Sequence, residues 1–366
     1  MKKIIKIAAV LLCAVFALQF YSCSKTKYAM KIGSTGFSER VYAYYMTCYK
    51  QYWISTFGQS DDDSFWSAEY DGININDYLQ SVSETAIKAR LVSAYLFDQY
   101  GLKLTEGETS YLQRLLTGLT EAVGGEAALK TEEPFKSLGM TLDDLYRILV
   151  TDSKAGRLQD YLYGENGVSK ITDEQRENYY QNKYYRFEHF YLMNYDYDLD
   201  ENGNYQYDEE DHAKVKEISD ERFEEKLAFA NEILERAKNG EDFSALIDEY
   251  SEEFSKAKYK NGHYLTVPND YFAAISDAVT ETKIGEYKLF QSELGIHIIH
   301  RIELDEGGWK NNDASGDFTD FDDLVIEAAF KELTRSYYDK IELDKGITEK
   351  YKLRDMPYCP IWQYFM

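Results

Sequence analysis

Few side chains in this sequence are placed to do chemistry. Of the five histidines, His189 and His297 fall in aromatic and aliphatic stretches, FEHFYLMNY and GIHIIHRI. Their plain reading is a buried, hydrogen-bonded structural pair. His212, His263 and His300 read as surface or structural residues. Between the two stretches lies a D-x-D-x-N-G-x5-E pattern at Asp198, Asp200, Asn202, Gly203 and Glu209. Calcium needs several oxygens converging at short distance, and this spacing can deliver them. A helix should precede such a loop, whereas a strand-like stretch does here. Asn202-Gly203 between alternating tyrosines (Tyr195, Tyr197; Tyr205, Tyr207) is also a hairpin with a type I′ turn, and the hairpin is the preferred reading. Phosphate loop, catalytic triad, CxxC pair and metal-binding histidine cluster are all missing from the sequence, so neither cofactor nor metal is expected.

The elements that would carry these residues are legible from periodicity. Residues 38–57 and 76–99 repeat apolar side chains at helical spacing, the second through Tyr78, Val82, Ile87, Leu91, Tyr95 and Leu96. Thr105-x-x-Glu108, Thr141-x-x-Asp144 and Thr172-x-x-Gln175 read as helix starts, where a side-chain oxygen satisfies an unpaired backbone amide. The pattern then changes. Phe187–Tyr195 reads as a strand. Residues 213–239 read as a long helix ending at Gly240, and Phe243–Tyr250 as a short one. Gly285 and Gly295 bracket a strand-like KLFQSEL, and 296–302 alternates. A last helix is expected over Phe321–Leu343, and the aromatic tail Tyr358–Phe365 should dock on the helical part.

Composition limits the partners. The chain has 366 residues, with 41 Lys+Arg against 65 Asp+Glu and a formal charge of −24. That excludes nucleic acid as the main partner, because phosphate binding needs a basic surface. A hydrophobic fraction of 44% is too high for a disordered chain. Lys2, Lys3 and Lys6 precede an apolar run, Ile7 to Leu18, shorter than the roughly 20 residues a membrane-spanning helix needs. Residues 1–22 therefore read as an export signal. Ser22-Cys23 resembles a bacterial lipobox, which makes Cys23 the lipidated mature N-terminus; an ordinary secretory signal is the alternative. Cys48 and Cys359 are then either one disulfide or two buried thiols.

Three stretches resemble the parvulin family of peptidyl-prolyl isomerases: His189 in its strand, GEDFSALIDEYSEE (Gly240 to Glu253), and IGEYKLFQSELGIHII (Ile284 to Ile299). The flanking helical parts resemble, more loosely, the chaperone domain of exported foldases. The resemblance implies an α+β fold: a helical chaperone-like domain formed by both chain ends, with an inserted parvulin-like α+β domain. Expected boundaries are a signal peptide at 1–22, the helical domain at 23–184, the parvulin-like domain at 185–304, and a C-terminal helix and tail at 305–366. His189 and His297 match the family's paired histidines, Ser292 its small hydroxyl residue, and Glu253 stands where the family carries Cys or Asp. Tyr271, Phe272 and Ile275 fall at the substrate pocket, with Ile275 at the family's floor Phe. Asn261 to Leu265 replaces the family's Gly-Asp-Leu-Gly turn. The acidic stretch 196–210 stands where some members carry a basic phosphate-binding loop, so phosphate selection is not expected.

The function so implied is an exported, lipid-anchored foldase. It would isomerise X–Pro bonds and hold unfolded secreted polypeptides at the outer face of the cell membrane or in the periplasm; whether it dimerises is open. Two alternatives stand beside it: a parvulin-like chaperone without catalysis, and a solute-binding lipoprotein that stacks sugars on tyrosines.

Overall fold

Short polar residues set the helix starts. In the computed structural model, which describes residues 27–70, 72–133, 135–208, 212–266, 273–310 and 317–357, the chain divides into two units. One comprises Met1–Lys170 with Glu327–Met366, the other Ile171–Ile326. In the first unit, strands β1 (Tyr28–Ile32) and β2 (Thr35–Ser38) lead into helices α1 (Glu39–Thr56), α2 (Ile75–Gln99), α3 (Glu106–Ala122) and α4 (Leu142–Tyr163). Ser38 and Asn74 cap α1 and α2 through their side-chain oxygens. Thr105 and Thr141 form full capping boxes with Glu108 and Asp144. Each cap contributes about 1 kcal/mol.

Every residue of α1 from Val41 to Gln51 is buried, which explains why its aromatics run right round the helix. Tyr42, Tyr44 and Met46 pack with Leu79, Ile87 and Leu91 of α2 and Leu145 and Leu158 of α4 in a single core. Both chain ends build this unit, because β1 lies between β2 and a two-residue strand, Glu342–Leu343, with Met30 opposite Leu343. The helix expected to run through Leu343 therefore ends earlier, at Arg335, and the chain turns back to add a sheet edge. The ammonium of Lys50, 4% exposed, ties the C-terminal segment to α1. It donates to the carbonyls of Arg354 (2.7 Å) and Met356 (2.9 Å) and pairs with Asp61 at 2.8 Å. Lys50→Met should lower the urea-unfolding free energy of this unit by about 2 kcal/mol, since two carbonyls and a carboxylate lose their donor.

In the second unit, α5 (Asp173–Lys183), capped by Thr172, runs directly into β3 (Tyr184–Met193). There follow β4 (Tyr195–Tyr197), β5 (Val215–Glu217), α6 (Asp220–Lys238), α7 (Phe243–Tyr250), β6 (His263–Thr266), α8 (Ala273–Glu281), β7 (Tyr287–Ser292) and β8 (Gly295–Ile302). The main sheet is antiparallel throughout, in the order β6-β3-β8-β7. On one face Phe190, Leu192, Ile296 and Ile298 pack against Ala230, Ile233 and Leu234 of α6 and Phe243 and Leu246 of α7. On the other, Phe187, Leu265 and Ile299 meet Ala278 and Val279 of α8.

The helix expected from residue 213 starts only at Asp220, because Ser219 caps it and β5 pairs with β4. Between β4 and β5, residues 200–204 form a tight turn. The Asp200 carboxylate accepts from the backbone amides of Asn202 (2.8 Å) and Asn204 (2.9 Å), and Gly203 adopts φ +83°. Leu199 faces Tyr205 across this turn, the hairpin arrangement, while Tyr207 turns aside to face Ala213. Glu209, the last position of the calcium pattern, lies outside the described residues, as do Cys23, Cys359, the export-signal residues and the tail from Tyr358. Cys48 is buried in the first core. No helix among the described residues is long and apolar enough to cross a membrane.

Candidate active site

Strand alternation decides which side chains meet. On β3, Glu188 and Phe190 face α6 and α7, so His189 and Tyr191 must face the opposite side. In the β3–β8 register His297 stands opposite Tyr191 and Ile299 opposite His189. The two imidazoles are thus diagonal neighbours on one face, a separation that long or planar side chains bridge. A slip of one residue would turn both into the helix-packed core. The β7–β8 hairpin brings Ser292 opposite Gly295, and Phe290 opposite His297. Gly295 has φ +153°, and a Cβ there would lie 2.1 Å from the carbonyl oxygen of Leu192. Only glycine fits this approach.

Glu253 arrives from the loop after α7, and that loop is tied to β3. The amide of Tyr191 donates to Ser251 Oγ (3.1 Å), and the amide of Glu252 donates to the Tyr191 carbonyl (2.8 Å). Glu252 accepts from the Met193 amide (2.7 Å) and from Lys226 Nζ on α6 (2.7 Å). Lys256 Nζ closes the end of α7 by donating to the carbonyls of Ile247, Asp248 and Ser251.

A hydrogen-bonded line results. His189 Nδ1 lies 3.1 Å from Glu253 Oε2, His189 Nε2 lies 3.0 Å from His297 Nδ1, and His297 Nε2 lies 2.8 Å from Ser292 Oγ. His189 is 8% exposed and His297 3%. Burial pushes the His189 imidazole below its usual range, although Glu253 pulls it up. Burial, helped by the neighbouring His189, takes His297 down to about 3. Burial alone would raise the Glu253 carboxyl, but hydrogen bonds from His189 and His263 outweigh it and hold the group far below the ordinary range. The polarity of the line follows. An ionised Glu253 can only accept, so His189 donates from Nδ1 and accepts at Nε2. His297 then donates from Nδ1 and accepts from the Ser292 hydroxyl at Nε2. Ser292 Oγ in turn accepts from the Leu294 amide at 3.0 Å.

These shifts make the unit sensitive to acid. Unfolded imidazoles titrate near 6.5 and the folded ones lower, so below that pH the unfolded chain binds more protons. Their contribution to stability is whole above about pH 6.5 and is lost as pH falls towards the folded value, at about 1.4 kcal/mol per pH unit for each group. Glu253 acts in the same direction below the ordinary carboxylate range, because its folded-state carboxyl is held lower still. The urea midpoint of the second unit should fall continuously from pH 6.5 to 4, and His297→Phe should flatten part of that slope. A midpoint that does not change over this range would contradict the neutral assignment.

The structure brings His189, Glu253, Ser292 and His297 together. Ile275 is half-buried on α8 and, like Phe290, packs against the cluster of Phe187, Leu265, Ala278, Val279 and Ile299. Tyr271 and Phe272 lie outside the described residues. Three residues were not anticipated. Tyr191 and Phe290 stack on the two faces of His297, with ring centroids at 4.9 and 4.8 Å. Their signal was positional, since each sits two residues from a named site residue on its strand. His263, read as surface or structural, instead reaches Glu253 Oε1 with Nε2 at 3.4 Å. It stands on β6 opposite Phe187, on the same face as His189. His300 is structural as expected, held by Glu188 at 2.7 Å.

Residues 207–303 match the family model of the PPIC-type PPIase domain. The matched span includes Glu253, His263, Ser292 and His297, while His189 joins them through sheet pairing. A comparison with curated proteins finds no match. Among solved structures, PrsA from Bacillus subtilis is 18% identical, covering 79% of this chain and 99% of its own, with a TM-score of 0.24. The peptidylprolyl isomerase PrsA from Bacillus cereus is 15% identical, with 82% and 94% covered and a TM-score of 0.27. The foldase protein PrsA from Streptococcus pneumoniae is 13% identical, with 81% and 96% covered and a TM-score of 0.23. With two facing imidazoles on a four-stranded antiparallel sheet and the matching family segment around them, this chain carries a parvulin-type peptidyl-prolyl cis-trans isomerase domain.

Proposed function

We propose that the protein is an exported foldase, in which His189, Glu253, Ser292 and His297 form the isomerase site within residues 185–304 and the helical unit holds unfolded chains. The observation that carries the isomerase reading is the uncharged imidazole line flanked by Tyr191 and Phe290. Rotating an X–Pro amide breaks its resonance against a barrier of about 18–20 kcal/mol, and no covalent step is needed. An apolar wall of Phe290, Ile275 and, in this reading, Tyr271 and Phe272 grips the pyrrolidine ring and removes water from the polar planar amide. The neutral His297 and Ser292 end of the line meets the twisted amide, while the Glu253 charge sits at the far end against His189. The twisted state is therefore bound better than either planar one, which lowers the barrier.

In the same reading, residues 1–22 export the chain, Cys23 carries the lipid, and the clients are secreted polypeptides still exchanging X–Pro isomers over tens of seconds. A form without catalysis is the second reading, favoured by Ile275 at the position of the pocket floor. The test is His297→Ala, assayed both for proline-peptide isomerisation and for suppression of client aggregation. The proposal expects isomerisation to fall while suppression survives. If suppression is missing in the wild-type chain, the holding role is wrong; if isomerisation is missing there, the second reading replaces the first.

A further inference from the structure

Beside the isomerase line, three ligating side chains converge on one small space. His189 Nδ1, a Glu253 carboxylate oxygen and a ring nitrogen of His263 all lie within 4.8 Å of one another. The closest contacts run to the two carboxylate oxygens separately, 3.1 Å from His189 Nδ1 to Glu253 Oε2 and 3.4 Å from His263 Nε2 to Glu253 Oε1. A divalent zinc ion held by nitrogen and oxygen at about 2.0–2.2 Å in tetrahedral geometry needs donors about 3.4 Å apart. The three are held in place without an ion. His189 is fixed through Nε2 by His297, Glu253 by the loop tied to β3, and the His263 ring stacks on Tyr259 at 3.9 Å between centroids. A cavity of about 210 Å³ opens on all three residues, giving an ion a way in and a fourth position for water. Lys256 and Lys260 also line it, but the Lys256 ammonium is taken up by three backbone carbonyls.

We propose that His189, Glu253 and His263 form a binding site for a divalent cation of the zinc class, and that its occupancy reverses the hydrogen-bond polarity running to Ser292. Two imidazoles and one carboxylate suit zinc and its neighbours better than calcium or magnesium, which prefer all-oxygen shells. An imidazole ligates only through an unprotonated nitrogen. His189 must therefore give up its Nδ1 proton and carry one on Nε2, donating to His297 Nδ1, an outer-shell bond of the kind that orients metal-bound histidines. His297 then carries its proton on Nε2 and donates to Ser292 Oγ. The Ser292 hydroxyl hydrogen, previously directed at the ring, is released towards the face of the sheet. Protons balance: His189, His297 and Ser292 carry three before and three after, each having moved along the line, with solvent returning the displaced one, and any proton on the ligating His263 nitrogen leaves to solvent or is carried on the other ring nitrogen. The consequence for isomerisation rests on the proposed function; the binding site does not.

The experiment titrates the full chain with zinc chloride, following heat by calorimetry and the imidazole nitrogens by ¹⁵N NMR. The expected result is one ion per chain at micromolar or tighter affinity, with His189 and His297 both changing from Nδ1–H to Nε2–H. His263→Gln, which keeps a polar side chain of similar reach, should weaken binding at least tenfold, with circular dichroism confirming the fold. Binding weaker than millimolar would overturn the proposal, as would binding unchanged in His263→Gln or binding that leaves both tautomers alone. If the variant fails to fold, the tautomer change in the wild-type chain decides by itself. A chain that binds zinc in this way but does not isomerise proline peptides would refute the proposed function and leave the metal site standing.

Discussion

His297→Ala should lower kcat/KM for an X–Pro peptide by about 30- to 100-fold. The substitution removes the middle of the line, so His189 Nε2 loses its donor and Ser292 Oγ loses the ring it donates to. Leaving buried polar atoms unpaired costs about 1–3 kcal/mol, and each 1.4 kcal/mol in the barrier is a factor of ten. It also opens a gap between Tyr191 and Phe290, which stack on the ring. Some loss of stability is therefore expected, and the rate must be read under conditions where circular dichroism shows the variant folded. Ser292→Ala removes only the last hydroxyl and should give a smaller effect of about tenfold. A folded His297→Ala with a rate within threefold of wild type would remove the imidazole line from the mechanism.

The second large effect concerns the backbone. Gly295→Ala should destabilise the second unit by more than about 4 kcal/mol, because the new methyl would sit 2.1 Å from the Leu192 carbonyl oxygen at a position with φ +153°. The β7–β8 hairpin would have to move away from β3, and with it the alignment of Ser292 and His297. Gly203→Ala makes the comparison. Its φ is +83°, but nothing lies within 4 Å of the added Cβ, so only the conformational cost of about 1 kcal/mol applies. Urea unfolding of both variants separates the two causes. Equal losses would mean that the close approach at Leu192 is not a real constraint.

What was legible in the sequence was what depends on neighbours along the chain. Thr105, Thr141 and Thr172 marked helix starts because a capping box is complete within four residues. The strands around His189 and His297 were legible from their aromatic and alternating character, and family likeness supplied Glu253 and Ser292. The hidden parts depend on register between distant segments. Whether Tyr191 and Phe290 touch His297 is decided by the pairing of β3 and β7 with β8, which no local pattern records. His263 looked peripheral because its role comes from standing opposite Phe187, far away in sequence, on a four-residue edge strand. Glu342–Leu343 reads as helix from the sequence for the same reason: two residues have no periodicity, and β1, far away in the chain, gives them their strand.

The most direct measurement is the cis-trans exchange rate of a short X–Pro peptide, followed by NMR exchange spectroscopy with catalytic amounts of the native chain near pH 7. Catalysed exchange well above the spontaneous rate, removed by His297→Ala in a folded protein, is the expected result. Exchange left at its spontaneous rate by a natively folded chain would contradict the assignment of this imidazole line as an isomerase site.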